Sequence, residues 1–147
     1  MNAYEHVERL KRRAKRFLAH AHTALRDGDF DIACFCAEQA AQLRLKALLL
    51  RMVGYVPRTH DVRELLGDLV SALKALGREG PASHVAAFSR DNRDVLRRLD
   101  EAYTGARYLP HEFDEDDARA CVEVAEMLIN MLDEIEDDAF AERGGLA

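Results

Sequence analysis

The segment YTGARY places Tyr103, Arg107 and Tyr108 within six residues, at the end of an apolar-periodic run and ahead of a loop carrying Pro110. A guanidinium offers a fork of donors matched to phosphate, and a phenol ring offers a face on which a base can stack. The same arginine could instead pair with the acidic stretch HEFDEDD that follows. These residues alone do not separate the two readings. His60, in RTHD, is a second candidate, because imidazole titrates near neutrality and can bind or move a proton. On sequence alone the plainer role is favoured, a helix-terminus residue bonded to its own loop. Glu38, Gln42 and Lys46 form a third group at four-residue steps. Their spacing favours a solvated stripe, with pairings worth about a few tenths of a kcal/mol, over a polar seam inside a helix contact.

Other chemistries find no support. His20 and His22 are two apart, so on one helix they diverge, and neither an H-E-x-x-H pattern nor a glycine-rich phosphate loop occurs. Cys34 and Cys36 diverge for the same reason, and Cys121 is remote in sequence. All three cysteines fit small buried hydrophobes in a reducing compartment. No Ser/His/Asp or Cys/His arrangement can be picked out. Neither a metal nor a cofactor is expected.

Positioning the candidates falls to helices. In the first, Tyr4 to Arg26, apolar residues recur at three- and four-residue steps. Gly28 can stop it, and Asp29 or Asp31 can cap the next. The second, about Phe30 to Met52, is apolar on most sides, so it should be central. Asp61 and Glu64 suggest a capping box for a third helix ending near Leu76. GREGPASH reads as a loop. A fourth helix spans about Ser83 to Tyr103, with a possible break near Ser89. The last runs from about Asp114 to Phe140, its acidic first turn favoured by the helix dipole and its core face including Met127 and Leu128. Residues 141–147 read as a flexible tail. No strand-period segment competes. The expected fold is all-α, an up-and-down bundle of four to five helices in a single domain over 1–147.

Composition agrees. The 147 residues are 48% hydrophobic and 33% charged, a globular balance. A net charge of −6 gives no global attraction for nucleic acid, so any would come from a local patch. RLKRRAKR near the start is basic and DEIEDD near the end is acidic, which suits two helices packed side by side. No apolar run approaches the roughly 20 residues that span a bilayer, and the N-terminus lacks the apolar segment of a signal peptide. A soluble, cytoplasmic protein is expected.

Four pieces, in order, carry a resemblance. DFDIACFCAEQAAQLRLKALLL, RTHDVRELL, LDEAYTGARYLP and a long, acidic-starting last helix together resemble the HEPN domain (higher eukaryotes and prokaryotes nucleotide-binding), from the first helix to about Ile135. Phe35, Ala37, Gln39, Ala40, Ala41, Lys46, Ala47 and Leu48 fit its second-helix pattern, and Thr59, His60 and Asp61 its following loop. Tyr103, Arg107, Tyr108 and Pro110 fit its Tyr-x-x-x-Arg-Tyr ending, with Leu109 inserted before the proline.

The resemblance implies a homodimer, often paired with a minimal nucleotidyltransferase in a toxin–antitoxin couple, and a polar groove for nucleotides or RNA. Some members are metal-independent ribonucleases with four to six residues between an arginine and a histidine. Here three residues separate Arg107 from His111. The expectation is therefore a non-catalytic, or at most weakly catalytic, binding module. Arg107 would contact phosphate, Tyr103 and Tyr108 would flank base or sugar, His60 would close the rim and Lys46 would add charge. The rivals are a ribonuclease using Arg107 and His111, and a purely structural helical adaptor. The excess apolar surface of the second helix would be buried against a twin subunit.

Overall fold

The structure, a computed structural model, describes residues 2–108 and 113–144, with side chains described for 2–103 and 113–141. The described residues form six helices and no strand: α1 Ala3–Asp27, α2 Phe30–Val53, α3 Val62–Ala75, α4 Glu79–Asp91, α5 Arg93–Tyr108 and α6 Glu115–Gly144. None is long and apolar enough to cross a membrane.

Most boundaries have a local cause, although the expected Asp29 cap at α2 makes no side-chain bond to the helix. Asn2 caps α1 by accepting from the Glu5 N–H at 2.8 Å. Gly28 ends it at φ 80°, a left-handed conformation that costs glycine nothing. At α6 the cap is reciprocal. Asp117 N–H donates to Asp114 Oδ1 at 2.8 Å, and Asp114 N–H donates to Asp117 Oδ2 at 3.0 Å. The expected box at α3 forms only by half. Asp61 accepts from Glu64 N–H at 3.1 Å, but Thr59 Oγ1 takes the Asp61 N–H, and Glu64 bonds the Thr59 hydroxyl instead.

One helix more is present than the sequence pattern suggests. The expected fourth helix is two, and the break foreseen near Ser89 falls at Asn92, which donates through both its backbone N–H and its side-chain amide to the Phe88 carbonyl. An asparagine that competes for the last turn's carbonyl ends a helix as a backbone donor would. The expected GREGPASH loop is also shorter than its composition suggests, because α4 opens at Glu79. Pro81 then falls in the first turn, where the N–H it lacks has no helical partner to bond.

α2 is the central rod. It packs along α1 and also meets α6, α5 and α3. Ala33, Ala37, Ala40, Ala41, Leu45, Leu48 and Leu49 are sealed within the chain's own core. That corrects the idea that α2 is too apolar for one subunit: the chain's other helices cover it. What α2 leaves exposed is at its ends, Ile32 and Val53. Met127, expected in the α6 core, is 52% exposed, while Leu128 beside it is fully buried.

Acidic α6 and basic α1 do lie side by side, with Lys11 Nζ 3.2 Å from Glu136 and His22 Nε2 3.4 Å from Glu126. All three cysteines are buried. The neighbouring Cys121, together with burial, pushes the Cys34 thiol far up, so it stays protonated.

Candidate functional site

The Glu38–Gln42–Lys46 ladder is not a solvated stripe. Glu38 is 0% exposed, and Gln42 and Lys46 are buried too. The reason is topological: the side of α2 that carries them faces the loop before α3, so the ladder becomes a polar seam in the interior.

The seam is ordered from the inside out. Glu38 accepts from Gln42 Nε2 at 2.8 Å through one oxygen and from Gln39 Nε2 at 2.7 Å through the other. Gln42 reaches on to His60, its Nε2 3.4 Å from the His60 carbonyl and its Oε1 3.4 Å from Nδ1. An amide oxygen can only accept, so in this contact Nδ1 carries a proton. The exposed His60 ring stacks on Tyr103, centroids 4.9 Å apart and planes 14° from parallel. Burial pushes the Glu38 carboxyl up to about 7, against the hydrogen bonds from Gln42 and Gln39.

A second carboxylate ties the His60 loop to α5. Asp100 Oδ1 accepts the Val62 N–H at 2.7 Å, and Oδ2 accepts Arg63 Nε at 2.9 Å. Burial, then the neighbouring Asp61 carboxyl, lifts Asp100 to about 6, while Val62 and Arg63 pull it down. Asp100 thus occupies the N-terminus of α3, where the helix's free N–H groups favour an anion. It also fixes Tyr103, three residues along α5, against His60.

The structure therefore brings His60 and Tyr103 together and builds a buried support behind them. Lys46 lies two turns along α2 from Glu38. No hydrogen bond among the described residues joins it to His60 or Tyr103, and burial lowers its pKa against the pull of Glu38. Arg107 and Tyr108 belong to the last turn of α5; their side chains, and all of His111, lie outside the described residues. On the α5 backbone Arg107 falls one turn beyond Tyr103, at spacing that continues the Asp100–Tyr103 face.

Sequence reasoning missed Glu38 and Gln42 as supports and Asp100 altogether. The i,i+4 spacing of Glu38 and Gln42 was visible, but it reads the same on a wet face as in a seam. Asp100 had no signal, since its partners, the Val62 and Arg63 N–H groups and the Arg63 guanidinium, lie 37 or 38 positions away.

Comparison with known proteins places this geometry. The chain matches the HEPN domain over residues 7–135. Among solved structures it is similar to TT1696 from Thermus thermophilus, at 26% identity and a TM-score of 0.69, over 87% of this chain and 96% of that one. It also shares the fold of ST0689, an archaeal HEPN homologue, at 24% identity and a TM-score of 0.59, over 87% of this chain and 95% of that one. No curated protein matches. With a match over most of its length and a fold shared with an HEPN homologue, the chain belongs to the HEPN domain family.

Proposed function

We propose that this chain is a nucleotide- or RNA-binding HEPN module that acts without cutting its ligand. The observation that carries the reading is the His60–Tyr103 stack, held from behind by the buried Gln42–Glu38 pair. Two stacked rings at a surface offer a platform for a base, and a base can extend the stack at little entropic cost when the platform is already fixed. Arg107, one turn further along α5, is assigned the phosphate and Tyr108 the base or sugar. His60 forms the rim through its exposed ring, and Lys46 adds positive charge.

In this reading the module works as a homodimer beside a minimal nucleotidyltransferase, as in a toxin–antitoxin pair. Exposed Tyr4, Ile32, Tyr55 and Met127 are apolar groups available for such contacts. The deciding experiment is calorimetric titration of wild type and Arg107→Ala with adenosine mono- and triphosphate. Loss of affinity in the variant supports the assignment, and equal affinity removes Arg107 from the site. Co-expression with the nucleotidyltransferase from an adjoining reading frame, where there is one, tests the pairing, and light scattering against the 16.6 kDa chain mass tests the dimer.

A further inference from the structure

A hollow of about 450 Å³ opens between α3 and α4. Arg63, Arg90 and Arg93 stand around it, and no carboxylate lines it. Its accessible apolar lining comes from Val70 and Ala86, with Gly67 beside them and Leu66 buried beneath. In a chain of net charge −6, three guanidiniums around one hollow whose described lining holds no carboxylate are unexpected.

Their internal partners leave charge to spare. Arg93 has no ion pair among the described residues, and Arg90 has only its exposed neighbour Asp91 at 3.5 Å. Arg63 is held by Asp100 at 2.9 Å and lies 3.7 Å from Asp61, which links the hollow to the His60 loop and leaves the spare charge to Arg93 and Arg90. Gly67 sits mid-helix, where glycine costs about 1 kcal/mol relative to alanine. A Cβ there would meet nothing within 4 Å, so neither fold nor packing requires glycine. What glycine does provide is depth in the hollow.

We infer that this hollow holds a stretch of single-stranded nucleic acid backbone running on from the His60–Tyr103 platform, with a base face against the apolar floor and phosphates on Arg93 and Arg90. The inference rests on the nucleotide-binding reading above and deepens it: the full ligand is an oligonucleotide several residues long, of which a mononucleotide fills the platform alone. Charge complementarity, continuity through Arg63 and an apolar surface between cations are the features that single-strand binding uses. A duplex is too wide to lay a base face on a floor of this size.

The test is fluorescence anisotropy with labelled octauridylate, on the full chain, across a range of salt concentrations. Gly67→Leu fills the floor without touching charge, and it replaces a poor helix former with a good one, so the fold survives. Arg93→Glu reverses one phosphate contact. Both variants are expected to weaken octauridylate binding at least about fivefold. Arg93→Glu is also expected to flatten the salt dependence by about 0.7 in the log–log slope. Unchanged affinity and slope in both variants, with wild type binding well, overturn the hollow but leave the platform reading standing. Weakening in both variants with none in Tyr103→Ala supports the hollow and sinks the platform. No octauridylate binding by wild type overturns the inference outright.

Discussion

Arg44 on α2 and Glu136 on α6 meet with Nη2 and Oε1 2.6 Å apart, at 2% and 1% exposure. Glu136 also takes Lys11 at 3.2 Å and a contact from Arg51, and Arg44 Nε reaches Asp133 at 3.0 Å. Arg51 in turn lies over the Phe140 ring, 3.9 Å from its centroid. Three helices are thus joined through one buried carboxylate. Glu136→Ala leaves Arg44 buried without its main counter-charge, and the expected loss is about 3–5 kcal/mol, read from the urea midpoint. The double replacement Arg44→Leu, Glu136→Leu is expected to lose far less, because no buried charge is then stranded.

The same carboxylate sets an acid limit. Burial pushes Glu136 up, but Arg44, Arg51 and Lys11 outweigh it and hold the group below its usual 4.5. An acid whose folded pKa is depressed stabilises the fold fully above its unfolded value. It loses that contribution as pH falls through the folded one. Wild type should therefore lose stability below about pH 4.5 more steeply than Glu136→Gln, in unfolding curves taken from pH 6 to pH 3.

Gly28 offers a cleaner backbone test. Its N–H donates to the Leu25 carbonyl, and the Asp29 N–H donates to Ala24 at 2.9 Å, closing α1 as a Schellman turn. An added Cβ would strike nothing within 4 Å, so the cost of Gly28→Ala is the left-handed backbone alone. That cost is expected at about 1 kcal/mol, with Gly28→Asn losing less, by thermal denaturation.

These elements show how far the sequence could be read. α1, α2, α3 and α6 were legible because each has a long apolar period and a capping or stopping residue at its ends. The α4–α5 break was legible only to within a turn, near Ser89, because its place at Asn92 turns on one asparagine side chain choosing the Phe88 carbonyl. His60 and Tyr103 were legible as residue types, and the family resemblance brought them together. Their support was not. A glutamate, a glutamine and a lysine at four-residue steps look alike on a wet face and in a seam, and only the packing of the α3 loop on α2 decides which. The Arg44–Glu136 cluster depends on pairings some 90 residues apart, which no local pattern encodes.

The His60–Tyr103 stack predicts a graded result at position 103. Tyr103→Phe keeps the ring and is expected to hold nucleotide affinity within about twofold. Tyr103→Ala removes the platform and is expected to lower affinity about tenfold, the lower range for loss of one base stack. Calorimetry with adenosine monophosphate separates the two. A tenfold loss in Tyr103→Phe as well would mean that the hydroxyl, not the ring, makes the contact.

Glu38 carries the opposite pH sign to Glu136. Its folded value of about 7 lies above the 4.5 of an ordinary glutamate, chiefly through burial. Between those values the folded chain keeps a proton that the unfolded chain releases, so stability falls as pH rises through this window. Above about pH 7 both states are ionised and the penalty is complete, at roughly 3 kcal/mol. Glu38→Gln removes the ionisation and keeps an oxygen that can accept from Gln42 or Gln39. The expected outcome is a variant with the smaller fall in urea midpoint between pH 5 and pH 8, and the more stable protein at pH 8. Asp100, lifted to about 6, titrates in both proteins, but its charge also helps to raise Glu38, so the comparison reads Glu38 together with its coupling to Asp100. Equal slopes would mean that Glu38 is already relieved of its burial, and the seam behind His60 would then not be the closed support the geometry describes.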